Sequence, residues 1–399
     1  MKRNISLVKG THDIHGAEME KFEFIIEKFY SICRNFNFKS IQTPILEQQD
    51  LFSRTVGEQT DIVSKEMYSF LDKGEAYICL RPEATSSLAR FAASNYQSGL
   101  LKLITHGPMF RRERPQKGRY RQFHQINIES IGEKSPYVDF ELILIAKLLF
   151  DDLGIKENEH RLLINSLGSK EDQIKYASEL KKYLTEFKKQ LSEISQSRLD
   201  KNPLRILDTK SERELDLLKD APKISNYYTE DDDTHLESLK NFLEAMNIPF
   251  TINHRLVRGL DYYTKTVFEF NSSQLGAQDA MLGGGRYDGL VEVLGGRPTP
   301  GIGFAAGMER FLIAMDDQDR GNNDPIVDIY FVCLDEKGLS RTLQLSNELR
   351  NNGFKVIFDP LRRSMKSQLR DANRSGARFA LILGETEMND NAIGFKDLK

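Results

Sequence analysis

The chain has 399 residues, of which 39% are hydrophobic and 29% charged, and its formal net charge is −3. This length predicts two or three domains with substantial cores, and the composition is that of a globular protein. The slight acidity excludes tight non-specific binding to nucleic acid through overall charge, so an RNA partner would require local basic surface.

Cysteine usage and hydropathy limit the protein class further. The three cysteines lie far apart in apolar runs without a CxxC pair, which argues against a zinc site or a disulfide framework and favours a reducing compartment. No apolar run approaches the length of a membrane span, and the N-terminal stretch MKRNISLVKGTHDIHG lacks the apolar region of a signal peptide. These features predict a cytoplasmic protein with no membrane association and no protein-held metal site.

The first quarter of the chain predicts a helix followed by short strands. Apolar residues recur at three- and four-residue steps over 17–36, which is typical of an amphipathic helix. The strand that follows is interrupted by Pro44 and is expected at a sheet edge, because proline cannot donate to the ladder. Residues 65–81 predict a hairpin, and the run Arg-Pro-Glu-Ala-Thr at 81–85 predicts a helix start with proline and glutamate in its first turn.

The segment 110–129, FRRERPQKGRYRQFHQINIE, carries the strongest functional signal. Its first twelve residues contain six cations, and Gly118 among them predicts a tight loop whose guanidiniums match phosphate oxygens. In the strand that follows, alternation places Ile126 and Ile128 on a core face and polar or aromatic residues on the other. That second face consists of Phe123, Gln125, Asn127 and Glu129. We interpret it as a floor for a small polar ligand beside a polyphosphate, rather than a solvated strand with a basic tip.

The middle of the chain alternates between core and polar segments. Residues 138–153 predict a buried helix, whereas 160–235 is polar with helical spacing and reads as an inserted helical module or a solvated appendage. The run RGLDYY at 258–263 leads into an alternating strand, and its arginine, if buried, requires an anion. The run GGGRYDGL at 283–290 predicts close approach of backbone to a ligand, or a turn with positive φ.

The last quarter predicts a second domain. GIGFAAGMERFLIAM at 301–315 reads as a strand running into a helix, and the polar stretch 316–325 marks a domain boundary. The βαβαβ order beyond it predicts a small α/β domain with a largely parallel sheet. Its second helix presents either a solvated or an RNA-contacting face through a group of cations: Arg362, Arg363, Lys366, Arg370, Arg374 and Arg378.

Several of these segments together resemble one family. FRRERPQKGRYRQFHQ resembles motif 2 of the class II aminoacyl-tRNA synthetases in the form used by the histidyl-tRNA synthetase family, and RGLDYY and GGGRYDGL resemble its histidine-specific motifs. The Arg-Pro-Glu-Ala-Thr run resembles that family's RPEGT segment with Ala84 in place of glycine, the region around Pro44 resembles motif 1, and 301–315 resembles motif 3. The resemblance implies an α+β fold: an antiparallel class II catalytic core over 1–320 with an inserted helical module at about 168–240, and an anticodon-binding α/β domain over 326–399.

The resemblance also implies an activity and a set of site residues. The implied enzyme activates L-histidine with ATP to histidyl-adenylate, with Mg²⁺ on the phosphates, transfers it to tRNA(His), and forms a homodimer through motif 1. Arg111 and Arg258 are the expected catalytic cations, because charge grows on the α-phosphate during attack. Expected ATP contacts are Arg111, Glu113, Arg119, Phe123 and Arg310. Expected histidine contacts are Glu83, Ala84, Thr85, Gln125, Glu129, Tyr262 and Tyr263.

The resemblance assigns chemistry to individual contacts. Phe123 is expected to stack on adenine with Arg310 on its far side, while Glu113 accepts from the adenine amino group and Arg119 meets the outer phosphates. Glu129 and Tyr263 are expected to pair with the imidazole nitrogens, so that amino acids without those nitrogens leave them unpaired. Relatives usually continue beyond the GFKDLK end with another helix, which implies a shortened last domain.

Three alternative functions fit this sequence less well. The histidine-binding regulatory subunit of ATP phosphoribosyltransferase shares the core, but it typically lacks the last domain and has eroded RGLDYY and GGGRYDGL motifs. A nucleotide-dependent oxidoreductase would need a shorter glycine spacing than the G-x-G-x-x-x-G at 301–307. A pure RNA-binding protein disagrees with the mild acidity and with the polar ligand floor.

Overall fold

The structure, a computed structural model, describes residues 5–275, 279–316, 327–359 and 363–398. The chain forms two compact units, Met1–Gln318 and Asp319–Lys399. This division falls within the predicted boundary at 316–325, most of which lies outside the described residues, and the domain limits stay a prediction. No helix within the described ranges is both long and apolar enough to cross a membrane.

The first unit combines short helices with long central strands. Its helices are α1 (Ala17–Asn35), α2 (Gln49–Phe52), α3 (Thr85–Asn95), α4 (Pro136–Asp152), α5 (Lys170–Glu186), α6 (Glu193–Lys201), α7 (Glu212–Leu217), α8 (Glu230–Ala245), α9 (Leu290–Val293) and α10 (Met308–Asp316). Its strands are β1 (Lys39–Ser40), β2 (Leu46–Gln48), β3 (Tyr68–Leu71), β4 (Tyr77–Leu80), β5 (Leu101–Phe110), β6 (Gln122–Ile131), β7 (Arg161–Ser166), β8 (Phe250–Ile252), β9 (Thr264–Asn271), β10 (Ala280–Arg286) and β11 (Gly301–Gly307).

A large sheet organises this unit. In the described part of the chain its strands follow the order β1-β5-β6-β11-β10-β9-β7-β8, antiparallel throughout the centre and parallel only at its two edges. The core face of β6 buries Ile126 and Ile128 against α1, α4 and α10. The predicted α+β core with an antiparallel sheet is confirmed, and so are the amphipathic first helix and the alternation along β6.

The polar segment after the middle of the chain builds a second layer. Helices α5 and α6 bury leucines such as Leu180 and Leu199 in a cluster separate from the main core. Helix α8 instead packs on α4 through the main core cluster, and β7 is a strand of the large sheet. The limits of an inserted module, about 168–240, stay a prediction, but this packing associates α8 with the catalytic core.

Local predictions failed where tertiary contacts decide the backbone. Pro44 precedes the edge strand β2 instead of interrupting it, whereas the β3–β4 hairpin is confirmed. Helix α3 begins at Thr85, so Glu83 lies before the first turn and caps it, accepting from the Thr85 N–H (2.6 Å) and the Ser86 N–H (3.0 Å). The glycine run belongs to the central strand β10, whose pairing with β9 shifts register between Gly285 and Arg286, and it forms no turn.

The second unit is the predicted small α/β domain. It contains α11 (Glu336–Asn351), α12 (Met365–Arg374) and α13 (Glu385–Asn389), with strands β12 (Val327–Cys333), β13 (Val356–Phe358), β14 (Ala377–Leu383) and β15 (Gly394–Asp397). The described sheet has the order β13-β12-β14-β15, parallel except for β15. Cations on and beside α12 are exposed, which fits either predicted face, and Arg362 lies outside the described residues.

Candidate active site

One cavity of about 430 Å³ collects most of the predicted site residues. Its walls come from the β5–β6 connection, the polar face of β6, the RGLDYY loop (258–263) and the ends of β10 and β11. The predicted residues that line it are Glu83, Thr85, Arg111, Glu113, Arg119, Phe123, Gln125, Arg258, Tyr262, Tyr263 and Arg310. Segments that are far apart in sequence therefore converge on a single pocket.

The predicted tight loop holds cations at one end of the cavity. Gln116 and Arg119 close the loop with two backbone hydrogen bonds, and Gly118 adopts φ 71°, a conformation that favours glycine. Arg111 donates from Nε to the Pro82 carbonyl at 2.9 Å and lies 5.3 Å from the centroid of the Phe123 ring. These contacts fix one guanidinium beside an aromatic face that is itself part of the cavity wall.

The neighbouring carboxylates at this end are paired with arginines. Glu113 and Arg119 form an ion pair of 2.9 Å. Arg310 donates to the Ala280 carbonyl, and burial lowers the pKa of its guanidinium. We name Arg111, Arg119, Arg258 and Arg310 the arginine end of the cavity.

Arg258 has the anion that its burial requires. It pairs with Glu269, the single carboxylate in the apolar run of β9. Burial lowers the pKa of Arg258, but the Glu269 carboxylate together with Tyr263 and Tyr262 more than offsets this, and the net shift is upward. Gly283 lies directly across from Glu269 on β10, and a methyl group there would overlap with the Arg258 guanidinium. The glycine run thus makes room for an arginine of the site, not for a turn.

The other end of the cavity is built on buried carboxyl groups. Glu129 is fully buried just behind the wall; Oε1 accepts from the Thr85 hydroxyl at 2.6 Å, and Oε2 accepts from the Tyr287 hydroxyl. Burial raises the pKa of Glu129 to about 8, although both hydroxyls oppose the rise. The pKa of Glu83 is also raised, chiefly by burial. We name Glu83, Thr85, Glu129 and Tyr287 the acidic end.

A glycine also makes room at the acidic end. Gly303 on β11 pairs with Glu129 on β6, and a methyl group at Gly303 would overlap with the Glu129 carboxyl group and lie 2.6 Å from the Ile128 carbonyl oxygen. The side chain of Glu129 therefore occupies space that any other residue at position 303 would fill.

Two tyrosines connect the two ends. The rings of Tyr262 and Tyr263 lie 4.6 Å apart, and that of Tyr262 meets the ring of Tyr287 edge-on at 5.8 Å. Tyr262 and Tyr263 both precede β9 and belong to an irregular loop. Both side chains line the cavity.

Ala84, like Glu129, is a predicted contact that does not line the cavity. It is completely buried in an apolar cluster with Leu88, Leu103 and Met109. Polar residues of the site that sequence reasoning overlooked include Tyr287, Glu269, Asp279, Asp208 and Lys210. A lone carboxylate in an apolar strand could have pointed to Glu269, because such a group requires a cation. Asp208 and Lys210 carry no comparable local signal.

Comparison with known proteins identifies the family. Residues 10–311 match the family model described as histidyl-tRNA synthetase, and 328–399 match that of an anticodon binding domain. Histidine–tRNA ligase of Wolbachia pipientis wMel is 44% identical, covering 98% of this chain and 94% of the relative. That of Aromatoleum aromaticum is 43% identical, covering 100% and 91%. The apo crystal structure of S. aureus histidyl-tRNA synthetase superimposes with a TM-score of 0.82 at 33% identity, over 99% of this chain and 95% of that one.

The fold and these matches define a class II aminoacyl-tRNA synthetase. The chain belongs to the histidyl-tRNA synthetase family, whose enzyme class is histidine–tRNA ligase. The full-length matches and the matched anticodon-binding domain favour the ligase over the regulatory-subunit alternative.

Proposed function

We propose that this cavity activates L-histidine with ATP and that the resulting histidyl group is transferred to the 3′ end of tRNA(His). The observation that carries the proposal is the union of the acidic end and the arginine end in one cavity of about 430 Å³. An amino acid with a basic side chain suits the first end, and a polyphosphate suits the second.

The arginine end would drive the first chemical step. The histidine carboxylate attacks the α-phosphorus of ATP, the bond to the bridging oxygen breaks, and pyrophosphate leaves. Negative charge grows on the α-phosphate oxygens during this attack, so cations held in place before the reaction stabilise the transition state more than the ground state. Arg111, anchored on Pro82, and Arg258, anchored on Glu269, are the cations that we assign to this role.

The nucleotide would be oriented by groups around the loop. Phe123 offers its ring to the adenine base, with Arg310 on the opposite side and Glu113 accepting from the amino group. Arg119 would meet the outer phosphates. All four line the cavity, and the Glu113–Arg119 pair shows that the loop can bring a carboxylate and a guanidinium side by side.

The acidic end would select histidine. We assign the α-amino group to Glu83, Thr85 and Gln125, and the imidazole nitrogens to Glu129 and Tyr263. The Glu129 carboxyl group is desolvated and already accepts two hydroxyl hydrogen bonds. A substrate that places an apolar side chain there would leave buried polar groups without a partner, which costs far more than the loss of one contact.

The cavity suits Mg²⁺ held mainly by phosphates. Within the described residues no group of three or more His, Cys, Asp or Glu side chains forms a metal cage, whereas Mg²⁺ is commonly held by one or two carboxylates together with substrate phosphates. Asp279 lines the cavity and would be the protein ligand, since Glu269 is engaged by Arg258. The ion would neutralise phosphate charge when bound.

The remaining assignments extend the proposal beyond the cavity. The exposed cations of α12 would contact the anticodon region of tRNA. The small sheet β2-β4-β3 leaves Leu46, Leu71 and Tyr77 exposed, which fits a homodimer contact around the segment that resembles motif 1. A cytoplasmic location would accompany these partners.

ATP–pyrophosphate exchange measured with each of the twenty amino acids, without tRNA, tests the proposal. Exchange with histidine alone is the expected result, and charging of tRNA(His) should then follow. Measurable histidine binding without exchange would contradict the proposal and favour the regulatory-subunit function.

A further inference from the structure

The backbone of the RGLDYY loop (258–263) is held mainly by the polar helical layer, whereas its Arg258 side chain pairs with Glu269 of the large sheet. Gln173 on α5 donates to the Tyr263 carbonyl at 2.9 Å, and Lys170 donates to the carbonyls of Asp261 and Tyr263. Both contacts fix backbone positions of the loop that carries Arg258 and the two site tyrosines.

A second group of contacts comes from the segment that directly follows α6. Asn202 donates to Asp261 Oδ1 at 3.1 Å, and Arg205 donates to the Gly259 carbonyl at 2.7 Å and approaches Asp261 Oδ1 at 3.4 Å. The side chain of Arg205 is only 12% exposed, so little water competes for these bonds.

Asp261 connects this layer with the catalytic core. Its N–H donates to the Val56 carbonyl at 3.1 Å, and its Oδ2 lies so close to Gly57 that a methyl group there would overlap with it. One carboxylate oxygen thus meets the helical layer while the other meets the segment after α2. Asp261 itself is outside our set of proposed substrate contacts, so its four attachments serve to hold the loop.

We propose that Asn202 and Arg205 are positioning residues for histidine activation, acting through Asp261 to hold Arg258, Tyr262 and Tyr263 in place. The role of those three side chains rests on the proposed function. Arg258 and Tyr263 lie three and two residues from Asp261, so a loop that shifts by about 1 Å would misplace both, and such displacements cost about 10²-fold in rate. A movement of the helical layer would therefore displace the side chains of Arg258, Tyr262 and Tyr263 in the cavity.

Hydrogen exchange followed by mass spectrometry on the full chain tests the attachment directly. The doubly substituted Asn202→Ala/Arg205→Ala variant should exchange the Asp261 amide at least tenfold faster than wild type, while peptides from β6 stay unchanged. Lys181→Ala is the matched control: it removes an ion pair of 3.2 Å with Asp200 inside the same layer, without touching the loop. Unchanged exchange at 258–263 in the double variant would overturn the proposal.

Kinetics distinguish positioning from a merely structural contact. In pyrophosphate exchange, Arg205→Ala should lower kcat/KM for histidine at least tenfold and change the Kd for ATP less than threefold. Arg205→Lys, which keeps the charge but loses the forked donors, should be intermediate. An equal loss for both substrates, or no loss despite faster loop exchange, would refute the positioning role.

Measurements on the wild type distinguish a failure of the proposed function from a failure of the positioning role. If wild type gives no pyrophosphate exchange with histidine, the proposed function fails, and calorimetric histidine binding replaces the kinetic readout. A tenfold weaker histidine Kd in Arg205→Ala would then support the positioning role, and an unchanged Kd would overturn it.

Discussion

The two ends of the cavity differ in how their charged groups are balanced. At the acidic end, Glu129 is fully buried and bonded only to neutral hydroxyls, Thr85 and Tyr287, so its pKa rises to about 8. At the arginine end, Arg258 and Arg119 each pair with a carboxylate and remain partly accessible. The acidic end therefore favours a substrate nitrogen that can bind the buried carboxyl group. The arginine end provides fixed positive charge that can bind phosphate. Selectivity and rate are thus assigned to different ends, a division that substitutions can test.

The largest effect is expected at the arginine end. Arg258→Ala should lower kcat for pyrophosphate exchange by about 10²–10³-fold, because one preorganised donor to transition-state charge contributes about 2.7–4 kcal/mol. The Kd for ATP, measured by calorimetry, should change little. Arg258→Ala/Glu269→Gln serves as control, since it removes the carboxylate that the single substitution leaves unpaired. Exchange near the wild-type rate in either variant would exclude Arg258 from catalysis.

The next effect contrasts the two glycines. Gly303→Ala should lower the free energy of unfolding by about 3 kcal/mol, because the new methyl group meets both the Glu129 carboxyl group and the rigid Ile128 carbonyl. Gly283→Ala meets only the end of the flexible Arg258 side chain, so it should cost less stability and more activity. Denaturant unfolding and pyrophosphate exchange of both variants check this. Equal losses of stability in Gly303→Ala and Gly283→Ala would show that the acidic end and the arginine end of the cavity are equally rigid.

Much of this cavity could be predicted because its floor is a regular strand. Alternation along β6 correctly assigns Phe123, Gln125 and Glu129 to one face, since a central strand leaves no freedom to rotate its side chains. The basic loop was equally accessible, because Gly118 and the density of arginines are local signals. The histidine motifs were found by resemblance, not by their physics.

The errors arise where distant pairing decides the structure. A glycine run permits a turn or a strand, and only pairing of β10 with β9 and β11 selects the strand. The space at Gly283 is used by Arg258, 25 positions away, which no local pattern reveals. The orientation of Tyr263 depends on Gln173, whose side chain holds its carbonyl. Glu83 was placed inside a helix because its role as a cap requires knowing where α3 begins.

A smaller effect is expected from the carboxyl group of the acidic end. Glu129→Gln should weaken histidine binding by about tenfold, because the amide NH2 cannot accept the hydrogen bonds that a carboxyl oxygen accepts, and a buried polar group left unsatisfied costs about 1–3 kcal/mol. ATP binding should be nearly unchanged. Calorimetry with each ligand checks the difference, with Glu113→Gln as the counterpart at the arginine end, for which the ATP affinity should fall instead. Unchanged histidine affinity in Glu129→Gln would remove Glu129 from the recognition of imidazole.

The smallest effect, measured over a single pH unit, concerns stability. The pKa of Glu129 is about 8 in the folded protein and about 4.5 in the unfolded chain, so between these values the folded state holds a proton that the unfolded state has released. The free energy of unfolding therefore falls as pH rises through this window, by at most about 1.4 kcal/mol per unit from this group.

Glu129→Gln cannot titrate, so its stability relative to wild type should rise steadily from pH 5 to pH 8. Glu83 is present in both proteins, so most of its contribution cancels in the difference. Denaturant unfolding at each pH measures this difference, and a flat difference would mean that Glu129 is ionised in the folded protein.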